Sequence, residues 1–493
     1  MAAGAVFKMA VRPLLFLLFL VSSRWLQAQP DTDSLIHQTF RYLDTWQTGY
    51  PELQKACATI GHRLTGSAQG KQAEDWIYRV LREKGISDVA FDPFEIQAWK
   101  RKSCSLEIVP YRSDNYLKIE AVSLANAASG SGSWHLVDGG DGLASDFKKL
   151  GSRIKGNFVL VNLGLTRTDS GRTNLHRAEK AALAFKAGAG GILFVHPKPG
   201  QILLTGTASL KGDELPIPAV CISGDDGVLL RHWMASEKLM AELKVENGRI
   251  SGSARNVVAR IPAGIPTRET ILLCGHLDSW DLATGAMDNG IGSFSLLDIA
   301  AAVHQVQPFL RRNVVFLWTM GEEQGLLGSR HFVKQLKSSG KLGDIKVVLN
   351  LDMTGNPAGL NDFAWPGAQK WVEKWNKIYR KHVPSYPGLH VHKPDLHSDH
   401  QPFMLEGVPV FTAVSQMPDS VYRCYHANCD GIEWVNPADM RQNGYFFSAL
   451  TLGLSQAGSL PFRDMPLPKR MKWLERHGLK EKLKISGEWE WKE

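Results

Sequence analysis

Between residues 33 and 85 apolar side chains recur at three- and four-residue steps: Leu35, Phe40 and Leu43, then Ala73, Trp76, Ile77, Val80 and Leu81. That spacing predicts amphipathic helices. Strand-like stretches follow at 89–98 and 105–110. From about residue 256 the texture changes to short apolar runs alternating with helical patterns. Strands are expected at 269–274, 313–319, 346–351 and 408–414, and helices at 292–306, 328–336, 368–382 and 443–454. Apolar strands without strict alternation, separated by helices, imply a sheet covered on both faces. The fold class is α/β, with a mixed, largely parallel sheet sandwiched by helices.

A different pattern occupies the middle of the chain. Gly and Ser cluster at 129–132 and again at 251–253, and both clusters read as linkers. Between them lie strand candidates at 157–162 and 191–195, a helix at 176–187 and a further apolar run at 217–222. This small α/β pattern holds no set of metal ligands or nucleophiles, so it is expected to be an inserted accessory domain. The resulting division is a leader over 1–28, a first catalytic part over 29–126, an insert over 127–253, a second catalytic part over 254–460, and a peripheral segment without catalytic groups over 461–493.

The leader is read from Lys8 and Arg12, which precede an apolar run at 14–21 and a polar stretch around Ala28. A basic start, a short apolar core and a small residue before the cut describe an export signal. The run is shorter than the roughly 20 residues a membrane span needs, so no integral span is expected. The mature protein is expected in the periplasm or outside the cell. The formal charge of +8 is thinly spread and forms no nucleic-acid-binding motif. Six cysteines, at 57, 104, 221, 274, 424 and 429, are too few for a disulfide framework. Cys424 and Cys429 form the one local pair, either bonded or free, and Cys274 reads as a buried small hydrophobe.

The chemistry collects at strand ends. His276 and Asp278 follow the strand ending at Cys274. Asp288 opens a helix, Glu322 and Glu323 follow the next strand, Asp352 follows the third, and His426 lies in a later loop. In open α/β sheets, sites form outside the carboxyl ends of the strands. Singly, each residue has a plainer role: His276 a structural hydrogen bond, Asp288 a helix cap, Glu322 and Glu323 first-turn acids, Asp352 a turn residue. Together they form an imidazole and carboxylate set without thiolate, which suits zinc or another borderline divalent ion. Two such ions roughly 3.5–4 Å apart share a carboxylate and hold a hydroxide between them. A neighbouring carboxylate then moves the proton to the leaving amine.

This set resembles the aminopeptidase/glutamate carboxypeptidase superfamily of dizinc exopeptidases. The stretches His276-Leu277-Asp278-Ser279-Trp280-Asp281 and Gly285-Ala286-Met287-Asp288 are similar to its carboxypeptidase Q branch, and the insert resembles a protease-associated domain. The resemblance implies two zinc ions. His276 and Asp352 would bind one, Glu323 and His426 the other, and Asp288 would bridge them. Glu322 would be the general base and then acid. Asp278 would orient His276 through its other ring nitrogen, and the Asp288–Asn289 peptide would be cis. His400, in Ser398-Asp399-His400, resembles a segment near the substrate pocket and is expected to touch substrate, with a structural hydrogen bond as its alternative.

The implied activity is hydrolysis of dipeptides or terminal residues of short peptides by the metal-held hydroxide, with a homodimer left as an open assembly state. An aminopeptidase on the same core is the close competitor. Glutaminyl cyclase-like acyl transfer with one zinc, and a binding protein that has lost the chemistry, lie further off, because no ligand and neither acid of the Glu pair is missing. An amino terminus calls for a carboxylate beside the metals, and a carboxy terminus for Arg, Lys or backbone N–H donors. The spacing of residues places neither.

Overall fold

The computed structural model describes Met1 and residues 30–111, 116–167 and 171–491. The expected leader, apart from Met1, lies outside them. Strand Thr270–His276 is buried at every position and sits at the centre of the catalytic sheet. It pairs in parallel with Asn313–Thr319 on one side and with Ile345–Asn350 on the other. Val410–Ser415 continues the parallel set. Pro357–Asn361 pairs antiparallel to Val410–Ser415, and Leu389–Val391 closes that edge. A parallel sheet buries both faces, which explains why these strands are apolar without a two-residue alternation.

Helix Ile291–Gln305 is buried almost all round, between the sheet and helix Pro437–Gln456. Asn443 pins that packing, donating from Nδ2 to Ser295 Oγ at 3.1 Å and to Thr354 O at 2.6 Å. Helices Leu327–Ser338 and His400–Leu405 also pack against the sheet. The amphipathic helix Ala68–Glu83 starts where Ser67 Oγ accepts from Gly70 N at 2.9 Å, and it buries Ala73, Ile77, Val80 and Leu81.

Two long strands, Val89–Pro110 and Leu239–Ile261, run antiparallel along almost their whole lengths. The far half of Leu239–Ile261 pairs with Asn313–Thr319 and its near half with Gly130–Asp138 of the insert. The insert's own core is a parallel set, Phe158–Asn162, Gly191–Val195 and Ala219–Ile222, and Ala121–Ser123 joins its edge ahead of the expected start at 127. The two Gly/Ser clusters are therefore not linkers. Gly130–Gly132 opens a strand, and Ser251–Ser253 pairs with Gln97, Ile96 and Glu95. Small residues follow the ladder here because a continuous partner strand fixes the backbone, and local propensity is overridden. The C-terminal stretch also departs from expectation. Helices Leu467–Arg476 and Leu479–Ile485 fold back onto the core, and Glu488 is buried.

Leu273 lies fully buried in the central strand. Leu273→Ala is expected to cost about 3 kcal/mol of unfolding free energy, as large-to-small core changes do, read from the midpoint shift in urea.

Candidate metal centre

Every strand that delivers a ligand does so at its carboxyl end. His276 is the last residue of Thr270–His276, Glu322 and Glu323 follow Asn313–Thr319, and Asp352 follows Ile345–Asn350. Asp288 enters from the loop ahead of helix Ile291–Gln305, and its peptide bond to Asn289 is cis. Gly285 makes that loop possible: it has φ 63°, and a Cβ there would strike the side chain of Ser279. Asn289 ties the two central strand ends together. Its Nδ2 donates to Leu351 O at 2.7 Å and to His276 O at 3.4 Å, and its Oδ1 accepts from Met353 N at 3.0 Å.

Asp288 faces two separate groups. Its Oδ1 lies 3.2 Å from His276 Nε2, which is 3.3 Å from Asp352 Oδ1. Its Oδ2 lies 2.9 Å from His426 Nε2, which is 3.0 Å from Glu323 Oε2. His276, Asp288, Glu323 and His426 are all buried. Asp288 Oδ2 and Glu323 Oε1 are nevertheless left without a hydrogen-bond partner. Buried carboxylate oxygens converging on imidazole nitrogens, with some left unsatisfied, fit divalent cations between them.

The groups around this cluster hold it in place. Ser398 Oγ donates to Asp352 Oδ2 at 2.6 Å. Asp430 accepts from Met287 N at 2.8 Å and Asp288 N at 3.0 Å. The buried Arg63 donates to the carbonyls of Leu277, Thr284 and Gly285 at 2.6–2.8 Å, fastening the Asp288 loop to the strand end. Cys424 and Cys429 form a disulfide around His426, and Tyr425 stacks on the His426 ring at 3.9 Å. The insert grips the same loop, since His426 O accepts from Thr205 N at 2.9 Å.

Two expected contacts are drawn differently. His276 Nδ1 lies 3.1 Å from the backbone carbonyl of Asp278, while the Asp278 carboxylate is 3.7 Å away. That carboxylate instead accepts from Thr65 Oγ1 at 3.0 Å and from Glu322 N at 3.2 Å. Asp278 therefore orients His276 through its main chain and Glu322 through its side chain. His400 does not line the cleft. Its Nε2 sits 3.2 Å from Asp395 O, its Nδ1 3.4 Å from Asn350 Nδ2, and its ring packs on Phe363. Helix His400–Leu405 turns that side chain inward, so the structural hydrogen bond is the one realised.

Electrostatics separate the acids. Burial, with Glu323, Asp352 and Asp399 nearby, pushes the Glu322 carboxyl well above the usual range, against the pull of His276. Burial acts the same way on Asp288, but His426 and His276 outweigh it and hold that carboxyl low. Burial raises Glu323 as well, against the pull of His426, and the surrounding carboxylates raise both imidazoles. Glu322 is the raised acid that borders the cleft without belonging to either His–carboxylate group.

The cleft is a cavity of about 240 Å³. Its wall includes residues that sequence reasoning missed: His176 and Arg177 from the insert, Arg330, His397 and Gln401 from the catalytic part, and Glu488 from the C-terminal stretch. No spacing relates these positions to the ligands. They meet only through tertiary packing of the insert and the tail.

Residues 256–451 match Peptidase family M28, and residues 121–230 match the PA domain. Carboxypeptidase Q of Xenopus laevis is 28% identical over 333 residues, 65% of this chain and 68% of that protein. Leucine aminopeptidase 2 of Trichophyton rubrum is 29% identical over 64% of this chain, a match spanning little more than half, 57%, of that protein. Among solved structures, a peptidase M28 precursor from Shewanella amazonensis superposes with a TM-score of 0.75 at 20% identity, covering 88% of this chain and 99% of its own. A zinc aminopeptidase from Bacillus subtilis superposes at 0.62 with 23% identity, covering 84% and 97%. The fold, the cluster at the strand ends and the two sequence matches agree: the protein is a zinc metallopeptidase with a peptidase family M28 region at 256–451 and an inserted PA domain at 121–230.

Proposed function

We propose that the protein is an exported zinc exopeptidase that holds two ions and cleaves dipeptides or short peptides at a free carboxy terminus. The bridging position of Asp288, with each carboxylate oxygen turned to a different imidazole, carries the two-ion reading. His276 and Asp352 would hold one zinc, and Glu323 and His426 the other. When bound, such a pair polarises the scissile carbonyl and acidifies the attacking water. Glu322 takes the water's proton on its carboxylate and returns it to the departing nitrogen, which suits a buried acid of raised proton affinity. The Cys424–Cys429 disulfide supports an oxidising compartment, and among the described residues no helix is long and apolar enough to cross a membrane.

Arg177 supports the carboxy-terminal polarity. It is 7% exposed, lines the cleft beside His276, Asp288 and His426, and its buried Nε has no hydrogen-bond partner. Its guanidinium rests against Gly206, where a Cβ would collide with it. The carboxylate outside the metal cluster that a substrate amine would need is Glu488, and it is committed. Glu488 Oε1 pairs with Arg330 and accepts from Gln401 Nε2 at 2.7 Å, while Oε2 accepts from Ser486 Oγ at 2.7 Å. A desolvated guanidinium seeks a planar anion, and the terminal carboxylate of a peptide is one.

Asp288→Ala should lose most of both zinc ions by elemental analysis, whereas Glu322→Gln should retain them while kcat falls by about 10²–10⁴-fold. A Glu322→Gln variant with near-normal turnover overturns the proton-shuttle role. Arg177→Ala should lower kcat/KM by roughly 10–100-fold on dipeptides with a free carboxylate, the loss expected of a charged hydrogen bond. It should change little on the same dipeptides amidated at that end. Gly206→Ala, by displacing the guanidinium, should follow Arg177→Ala. Wild-type cleavage of amidated dipeptides as fast as free ones, with acetylated ones resistant, would assign aminopeptidase polarity instead.

A further inference from the structure

A second cluster of ligating side chains lies at the edge of the catalytic sheet. Strands Pro357–Asn361 and Leu389–Val391 run parallel there, with Leu360 opposite His390. Asp362 comes off the end of the first strand. His390 lies within the second strand and His392 one residue past its end, and both rings turn toward Asp362. His390 Nε2 lies 2.9 Å from Asp362 Oδ2, and His392 Nδ1 lies 2.7 Å from Asp362 Oδ1. One ligand atom from each of the three falls within 4.8 Å of the others. None of the three lines the catalytic cleft.

We propose that Asp362, His390 and His392 form a separate site for a borderline divalent cation, zinc by its ligand set, whose role is structural. Two imidazoles and one carboxylate are ligands zinc takes readily, with water completing the shell. The imidazole–carboxylate separations of 2.7 and 2.9 Å compare with 2.9–3.3 Å between the same group types in the catalytic cluster. Asp362 is fully buried, and Ala364 N donates to its Oδ1 at 2.9 Å, which fixes the carboxylate before any ion arrives. The His392 side chain is 46% exposed and leaves an entry path from solvent.

The competing arrangement is a buried carboxylate satisfied by two neutral imidazole N–H donors. It requires protons on Nε2 of His390 and on Nδ1 of His392, and an ion takes the place of both. An ion here would fasten a three-residue edge strand that leads, within a few residues, to His397 in the cleft wall. Metal ligation couples to local folding in this way, because a site formed only in the native state stabilises that state on binding.

The test uses the full-length purified protein, equilibrated by dialysis against micromolar zinc and assayed for zinc per chain. Wild type should bind one equivalent more than His392→Ala and one more than His390→Ala. Both variants should keep wild-type dipeptide turnover, because they leave the catalytic cluster intact. The wild-type melting temperature should also rise with zinc between levels that already saturate activity, and that increment should be absent in His392→Ala. Equal zinc content in wild type and both variants overturns the proposal. The comparison is a difference between proteins, so it stands whether the catalytic cluster holds two ions or one.

Discussion

The structure is organised by the cost of gathering carboxylates at one end of a buried parallel sheet. Asp288 and Glu323 are almost wholly removed from water, and Glu322 and Asp352 stand beside them at the cleft. Burying like charges together is strongly unfavourable without compensating positive charge. His276 and His426 supply part of that compensation, and cations between the imidazoles and the carboxylates would supply the rest. Much of the surrounding architecture serves to keep the cluster from relaxing. Arg63 anchors the Asp288 loop through three carbonyls, Asp430 receives two of its backbone N–H groups, and Asn289 clamps the neighbouring strand ends.

The insert and the tail act on the same centre from outside. The paired strands Val89–Pro110 and Leu239–Ile261 carry the insert on a continuous ladder, not on flexible tethers. That rigidity lets helix Arg177–Lys186 present Arg177 to the cleft and lets Thr205 hold the backbone of the His426 loop. Across the cleft, Glu488 neutralises Arg330, leaving Arg177 as the guanidinium available to an anionic substrate group. In this reading the catalytic cluster provides the hydrolytic chemistry and the insert decides which end of a peptide is accepted.

The parallel sheet and the ligand-bearing strand ends were legible in the sequence because both leave local marks. Apolar runs such as 271–275 stop at a polar residue where the chain leaves the sheet, and in this fold class that is where a site forms. Register and long-range approach leave no such mark. Ser251–Ser253 looks like a linker until its partner strand is known. Arg177 and Glu488 look like ordinary helix-start and tail residues until packing brings them to the cleft. His400 misled for the opposite reason: it stands in a recognisable segment, but one turn of helix directs its ring to Asp395 and Asn350, away from the cavity. Asp278 was placed beside His276 as expected, yet which of its oxygens meets the ring is a matter of a few tenths of an ångström that no sequence pattern encodes.

The central claim is that Asp288 bridges two cations. Diffraction from crystals of the zinc-loaded protein, recorded on either side of the zinc absorption edge, tests it directly. The account predicts two anomalous peaks at this site, about 3.5–4 Å apart, one against each carboxylate oxygen of Asp288. A single peak there, or a pair that does not share Asp288, would contradict it.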